Sequence, residues 1–176
     1  MKKYIGCAVC LFIASFLIGY ITVCHMEFPI AEAKLSITES PNFLKLIYRN
    51  GSVCLFLILG MGIVTIPLGF YQGLQLGVML ALWIDSGNNI GSYALLTVPH
   101  CIFELPALFI SIALGLKFFW LLVQYYQHKK INLKQILFEV RFWIFSVPVL
   151  LIIAALIESF VTGWLYNTSV LGRGML

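Results

Sequence analysis

Charged residues are scarce in this sequence: Asp, Glu, Lys and Arg make up 10% of its 176 residues, whereas soluble domains carry about 25%. Hydrophobic residues account for 61% of the chain, and the mean hydropathy is +1.00. These values exclude a soluble globular protein and predict an all-α, polytopic transmembrane helical bundle. At about 20 apolar residues per crossing, the chain holds roughly five helices and no separate soluble domain. Residues 1–176 are therefore predicted to form a single integral membrane domain.

Several sequence motifs are also missing. The chain has no phosphate-binding loop, no G-x-S-x-G elbow and no H-E-x-x-H pattern, so we predict no catalytic residue and no enzyme activity. The net charge is +4, but the basic residues are scattered through loops, which disfavours nucleic acid as a partner. The five cysteines lack disulfide spacing and mostly lie in apolar runs, where a thiol behaves as a small hydrophobe.

Long apolar runs predict the membrane spans, with short or broken helices in the middle of the chain. The run at residues 53–84 would be about 48 Å long as one helix, which exceeds a hydrocarbon layer of about 30 Å. We therefore predict a helix break at Pro67, and further breaks at Pro99 and Pro106 in the next run. The predicted spans are residues 5–23, 53–70, 73–84, 94–126 and 142–166.

Basic residues predict the orientation of the bundle. Lys2 and Lys3 precede the first span, and residues 128–141 carry a second basic group before the last span. Five spans with a cytoplasmic N-terminus keep both groups on the cytoplasmic side, as the positive-inside rule requires. Four spans would place the second group outside. The C-terminus is therefore predicted to be external.

Small residues recur at every fourth position in two segments, which makes smooth stripes on which another helix can approach closely. The first stripe is Gly69, Gly73, Gly77 and Ala81, and the second is Ala107, Ser111 and Gly115. We predict that the two stripes face each other within the chain. A contact with a partner or with a second copy in a homo-oligomer is the alternative.

Ionisable residues within the predicted spans are few, and each is costly in hydrocarbon. His100 and Glu104 are separated by four positions and share a helix face, and Glu158 is predicted to lie at a similar depth. These three residues are predicted to form one intramembrane polar site. Lys117 lies close enough to the cytoplasmic end of its helix to act as an anchor at the membrane surface.

Three interpretations of the polar site remain open. The residues form a hydrogen-bonded structural knot, or a transport or proton-relay site next to interrupted helices, or a divalent metal site. Imidazole and carboxylate ligands suit zinc, so His100, Glu104 and Glu158 are the candidate metal ligands. No other cofactor is predicted.

Residues 99–107, Pro-His-Cys-Ile-Phe-Glu-Leu-Pro-Ala, resemble the Pro-His-Gly-x-x-Glu-x-Pro-Ala signature of the stage II sporulation protein M family of small multi-helix membrane proteins. Cys101 replaces the usual glycine. Arg49-Asn50, Gln72-Gly73 and Ile157-Glu158 also fit the family pattern, although Asn-Gly is more common than Gln-Gly. The resemblance extends over nearly the whole chain from Asn50 onward.

The resemblance implies a component of a membrane assembly in the bacterial cytoplasmic membrane. The leading expectation is a subunit of an export system or of an antimicrobial-peptide (circular bacteriocin) production or immunity system, acting with a separate ABC-type ATPase. The second is a sporulation scaffold that binds peptidoglycan hydrolases during engulfment. A membrane-embedded metal-dependent enzyme is the third, and it depends on the polar site. The expected partners are the lipid bilayer and other membrane proteins.

Overall fold

The computed structural model describes residues 1–25, 42–87, 89–127 and 133–162, and within these ranges it contains helices and no strand. The all-α prediction is therefore confirmed. The helices are α1 (Lys2–His25), α2 (Phe43–Leu59), α3 (Thr65–Asp85), α4 (Ile90–Tyr126) and α5 (Leu133–Leu156), and a π-helical segment (Ile157–Thr162) follows α5.

Four segments of the described chain are long and apolar enough to cross a membrane: Lys2–His25, Thr65–Asp85, Thr97–Tyr126 and Lys134–Phe160. The remaining helix, α2, has 17 residues and is about 25 Å long. It begins at the cap residue Asn42, whose side chain accepts a hydrogen bond from the backbone N–H of Leu44. Residues 43–52, which precede the predicted span 53–70, therefore form the first part of α2.

The break between α2 and α3 lies at residues 60–64, so the predicted span 53–70 is wrong. The chain reverses there through left-handed backbone at Met61 (φ 41°) and Gly62 (φ 79°). The buried Thr65 hydroxyl closes the turn: it accepts from the N–H of Gly62 at 3.0 Å and donates to the carbonyl of Leu57 at 2.8 Å. α3 is then continuous to Asp85, and the predicted span 73–84 is its second part.

None of the three predicted proline breaks interrupts a helix. Pro67 lies in the first turn of α3, where proline is compatible with helical backbone. Pro99 and Pro106 lie inside α4, where each removes the helical hydrogen-bond donor for the carbonyl four residues earlier.

The predicted span 94–126 agrees with most of α4. The last helix, α5, begins earlier than the predicted span 142–166, at Leu133, and residues 163–166 lie outside the described part.

The stripe on α3 packs mainly against α1, although Gly69 has Ile112 of α4 as its nearest neighbour. The predicted pairing of the two stripes is therefore wrong for Gly73 and Gly77. Gly73 lies against Ser15, and Gly77 lies against the backbone of Phe16, so closely that neither position has room for a Cβ atom. Gly19 of α1 approaches the backbone of α3 in the same way. Because residue numbers rise together along the contact, α1 and α3 are parallel. α1 presents its own small residues to the stripe, which is why it approaches α3 so closely.

The stripe on α4 instead packs against α2 and the following turn. Gly115 lies against the carbonyl of Leu57 and the side chain of Thr65, while Gly62 lies against Phe119. α2 and α4 are therefore parallel to each other. Ala107 on the same stripe belongs to a core cluster that joins α2, α4 and α5.

α4 is the central helix and α5 runs antiparallel to it. Lys117 of α4 pairs with Glu139 near the start of α5, whereas Glu104 lies close enough to Glu158 for an electrostatic interaction. Helices α1, α3 and α5 thus run one way, and α2 and α4 run the other way. We call the end of the bundle that contains Met1 and residues 60–64 the N-terminal end, and the other end the distal end.

Candidate functional site

A cavity of about 550 Å³ lies in the distal half of the bundle, and every helix contributes to its wall. Phe12 and Leu108 belong to its apolar wall. Its polar lining is unusually rich for a chain of this composition. The polar lining residues are Arg49 and Asn50 of α2, Tyr71, Gln72 and Gln75 of α3, Tyr93, Thr97, His100 and Glu104 of α4, and Glu158 of the π-helical segment.

α4 supplies a compact group of donor atoms to this cavity. His100 and Glu104 lie one turn apart on the same face, and Cys101 lies beside them. The ligand atoms of these three side chains all lie within 4.8 Å of one another, and each residue is partly buried. Two of the three predicted metal ligands therefore belong to the group, and Cys101 belongs to it as well.

Glu158 reaches the cavity from the π-helical segment that ends the last span. It lies close enough to both Glu104 and Cys101 to interact with them electrostatically. Single turns of π-helix occur frequently at functional sites, because the extra residue changes the direction of the side chains that follow. The structure thus brings His100, Glu104 and Glu158 to one cavity, although Glu158 is not part of the compact donor group.

Arg49 provides positive charge to this cavity. It lies on α2 in the cavity wall and interacts electrostatically with Glu104 of α4. The role of Arg49 was missed from the sequence because its segment precedes the apolar part of α2, although Arg49-Asn50 is part of the family resemblance. Gln72 was missed because it fell between the predicted spans 53–70 and 73–84, and Gln75 was not singled out within the second of these spans. Their three-residue spacing on a continuous helix is the signal that indicates a shared polar face.

Lys117 lies outside the cavity, toward the N-terminal end. Its side chain is nearly buried, with 8% of the residue surface exposed, and its ammonium donates to a carboxylate oxygen of Glu139 at 3.0 Å. The predicted surface anchor is therefore an ion pair between α4 and α5. The sequence offered no pairing signal for Glu139, which lies 22 residues away.

The fold and the cavity together define a polytopic helical membrane protein with charged and amide side chains gathered in its interior. The model of the stage II sporulation protein M family matches residues 8–163. The chain belongs to this family, which confirms the resemblance of residues 99–107, and the match includes most of α1 and all cavity-lining residues. Comparison with curated proteins and with solved structures yields no match.

Proposed function

We propose that this chain is the membrane-embedded subunit of a bacterial export system or of a circular-bacteriocin production or immunity system, and that its polar cavity binds a segment of the cargo peptide. The observation that carries the proposal is the cavity of about 550 Å³ with both signs of charge in its wall. Ionisable residues within membrane helices are costly, and in membrane proteins they typically mark substrate or ion pathways.

The volume of the cavity favours binding over a structural knot. In a knot, polar groups satisfy one another and fill the space between helices. Here Arg49, His100, Glu104 and Glu158 surround open space that falls within the range of about 300–1,000 Å³ typical of ligand pockets. The amides of Gln72 and Gln75 add hydrogen-bonding groups that suit a peptide backbone. A short peptide segment fits this chemistry better than a whole folded peptide.

A separate ABC-type ATPase is the proposed energy source, because the chain has no phosphate-binding loop. Within this proposal the chain binds and passes cargo and is not itself an enzyme. The proposed location is the bacterial cytoplasmic membrane, with the N-terminal end of the bundle in the cytoplasm. This orientation places Lys2 and Lys3 inside and the cavity in the external half of the membrane.

The alternative is a sporulation scaffold for peptidoglycan hydrolases, and it is favoured by the name of the matching family. A scaffold acts through its outer surfaces and does not require the charge of the cavity. Deletion in the native bacterium separates the two functions. Loss of peptide release or of self-protection supports the export proposal, whereas arrest of forespore engulfment with normal peptide release supports the scaffold.

The site is tested in the same bacterium with Glu104→Gln, and Asp85→Asn is the matched control. Asp85 is exposed at the end of α3, so its substitution removes a carboxylate charge away from the cavity. We expect Glu104→Gln to abolish peptide release or immunity at a near-normal membrane level, measured by immunoblot, and Asp85→Asn to retain both. Unchanged activity in Glu104→Gln contradicts the cargo site, and loss of the folded protein supports the structural knot.

A further inference from the structure

Three different metal-binding groups meet on one edge of α4. The imidazole of His100, the thiol of Cys101 and the carboxylate of Glu104 have their donor atoms within 4.8 Å of one another. Each ligand atom lies about 2.0–2.3 Å from its metal ion, so two ligand atoms of one ion are at most about 4.6 Å apart. One ion can therefore contact all three groups with only small side-chain rotations.

The charge around this group also favours a cation. Glu104 and Glu158 are close enough to interact unfavourably, and Cys101 lies within range of both. Among the described residues that line the cavity, Arg49 is the only Lys or Arg. When the thiol and the two carboxyl groups ionise to bind a metal, their negative charge exceeds the single positive charge of Arg49, and a divalent cation offsets the difference.

We infer that His100, Cys101 and Glu104 bind one transition-metal ion of the zinc class, and that Glu158 supplies the second carboxylate across the cavity. The thiol and imidazole select against Mg²⁺ and Ca²⁺, which prefer oxygen ligands throughout. His100, Cys101 and Glu104 provide three ligands and Glu158 provides the fourth. Four ligands match the tetrahedral coordination that Zn²⁺ adopts in proteins. The open volume beside α4 gives the ion a path into the site.

Cobalt is the probe for this site, because Co²⁺ replaces Zn²⁺ in tetrahedral sites and its thiolate complexes absorb in the near ultraviolet. The full chain, purified in detergent, is titrated with Co²⁺ and then with competing Zn²⁺. We expect about one Co²⁺ per chain, a thiolate-to-cobalt band, and loss of that band when Zn²⁺ is added. Metal binding is measured on the purified chain, whereas export is measured in the bacterium. The metal site and the proposed export role can therefore each be disproved without the other.

Cys101→Ala should abolish the thiolate band and weaken binding by more than the roughly 10–100-fold loss typical of changes to groups that only support the metal ligands. His100→Gln should weaken binding to a similar extent but retain the band at saturating Co²⁺, because the thiol remains. Cys54→Ala is the matched control: this buried thiol lines the same cavity but is not part of the donor group, and its removal should change neither readout.

Three results would overturn the inference. They are the absence of stoichiometric Co²⁺ on the folded wild-type chain, persistence of the thiolate band in Cys101→Ala, and loss of the band in Cys54→Ala. Size-exclusion chromatography and circular dichroism establish that each variant is folded. If Cys101→Ala does not fold, Cys101→Ser serves in its place, because it keeps the side-chain volume and replaces the thiolate ligand with a hydroxyl.

Discussion

The ammonium of Lys117 lies 3.0 Å from a carboxylate oxygen of Glu139, and this ion pair joins the central helix α4 to α5. The Lys117 side chain is 10% exposed and the Glu139 side chain is 50% exposed. The pair is therefore buried on the lysine side only. Loss of Glu139 leaves a largely buried ammonium, whereas loss of Lys117 leaves a carboxylate that water can solvate.

This asymmetry predicts that Glu139→Gln destabilises the protein more than Lys117→Met. We expect Glu139→Gln to lower the melting temperature more than Lys117→Met does, because the glutamine leaves the largely buried ammonium of Lys117 without a counter-charge. The double variant should recover part of the loss. Thermal unfolding in detergent of the wild-type chain, the two single variants and the double variant measures these losses. Lys134→Met, at an exposed position on α5, is the control. Equal losses in both single variants would contradict the one-sided burial.

The close approach of α1 and α3 predicts that Gly77 does not tolerate a side chain. Its added Cβ would overlap the carbonyl of Phe16, so Gly77→Ala should destabilise the folded chain by about 1–3 kcal/mol. Gly6 lies in α1 with open space around it, and Gly6→Ala should instead stabilise by up to about 1 kcal/mol through helix propensity. Melting temperatures of the two variants in one detergent test this contrast, and a stabilised Gly77→Ala would contradict the packing.

The turn at residues 60–64 predicts a specific role for the Thr65 hydroxyl. Thr65→Val keeps the shape but leaves the N–H of Gly62 and the carbonyl of Leu57 without this partner, at a cost of about 1–3 kcal/mol. Thr22→Val is the matched control, because the Thr22 hydroxyl bonds only to the carbonyl of Ile18 in the preceding turn of its helix. Denaturant unfolding should therefore separate the two variants, and equal stability would exclude the proposed closure of the turn.

The alternating helix directions predict which residues face each side of the membrane if the N-terminus is cytoplasmic. Ser86 lies at the distal end and Gln127 at the N-terminal end, and both are exposed. In a cysteine-free background, Ser86→Cys should react with a membrane-impermeant maleimide in intact cells. Gln127→Cys should react only after the cells are permeabilised. The opposite labelling pattern would reverse the proposed orientation, and labelling of both in intact cells would contradict the bundle.

Much of this architecture could be predicted from the sequence because hydropathy is local. Transfer of each side chain into lipid depends mainly on that side chain, so a long apolar run indicates a membrane helix wherever its partners lie. The same reasoning identified His100, Glu104 and Glu158 as unusual, because a charged group is costly in hydrocarbon whatever surrounds it. The family signature at residues 99–107 likewise required only the sequence.

The position of the α2–α3 turn could not be predicted in this way. Pro67 was the strongest local signal for a break, but proline is compatible with the first turn of a helix. The actual reversal depends on left-handed backbone at Met61 and Gly62, and on a hydroxyl that reaches back to Leu57. A non-glycine residue such as Met61 seldom adopts left-handed backbone, so the sequence around Met61 gives little indication of the turn.

By itself, the sequence determined that this is a multi-helix membrane protein of the stage II sporulation protein M family with a few costly polar groups in its spans. Only the tertiary structure decided that the glycine stripe faces α1, that Glu139 pairs with Lys117, and that Cys101 and Arg49 join the polar cavity. Burial in lipid is a property of each segment, whereas pairing depends on how closely two helices approach. That distance is determined by side chains from both helices together.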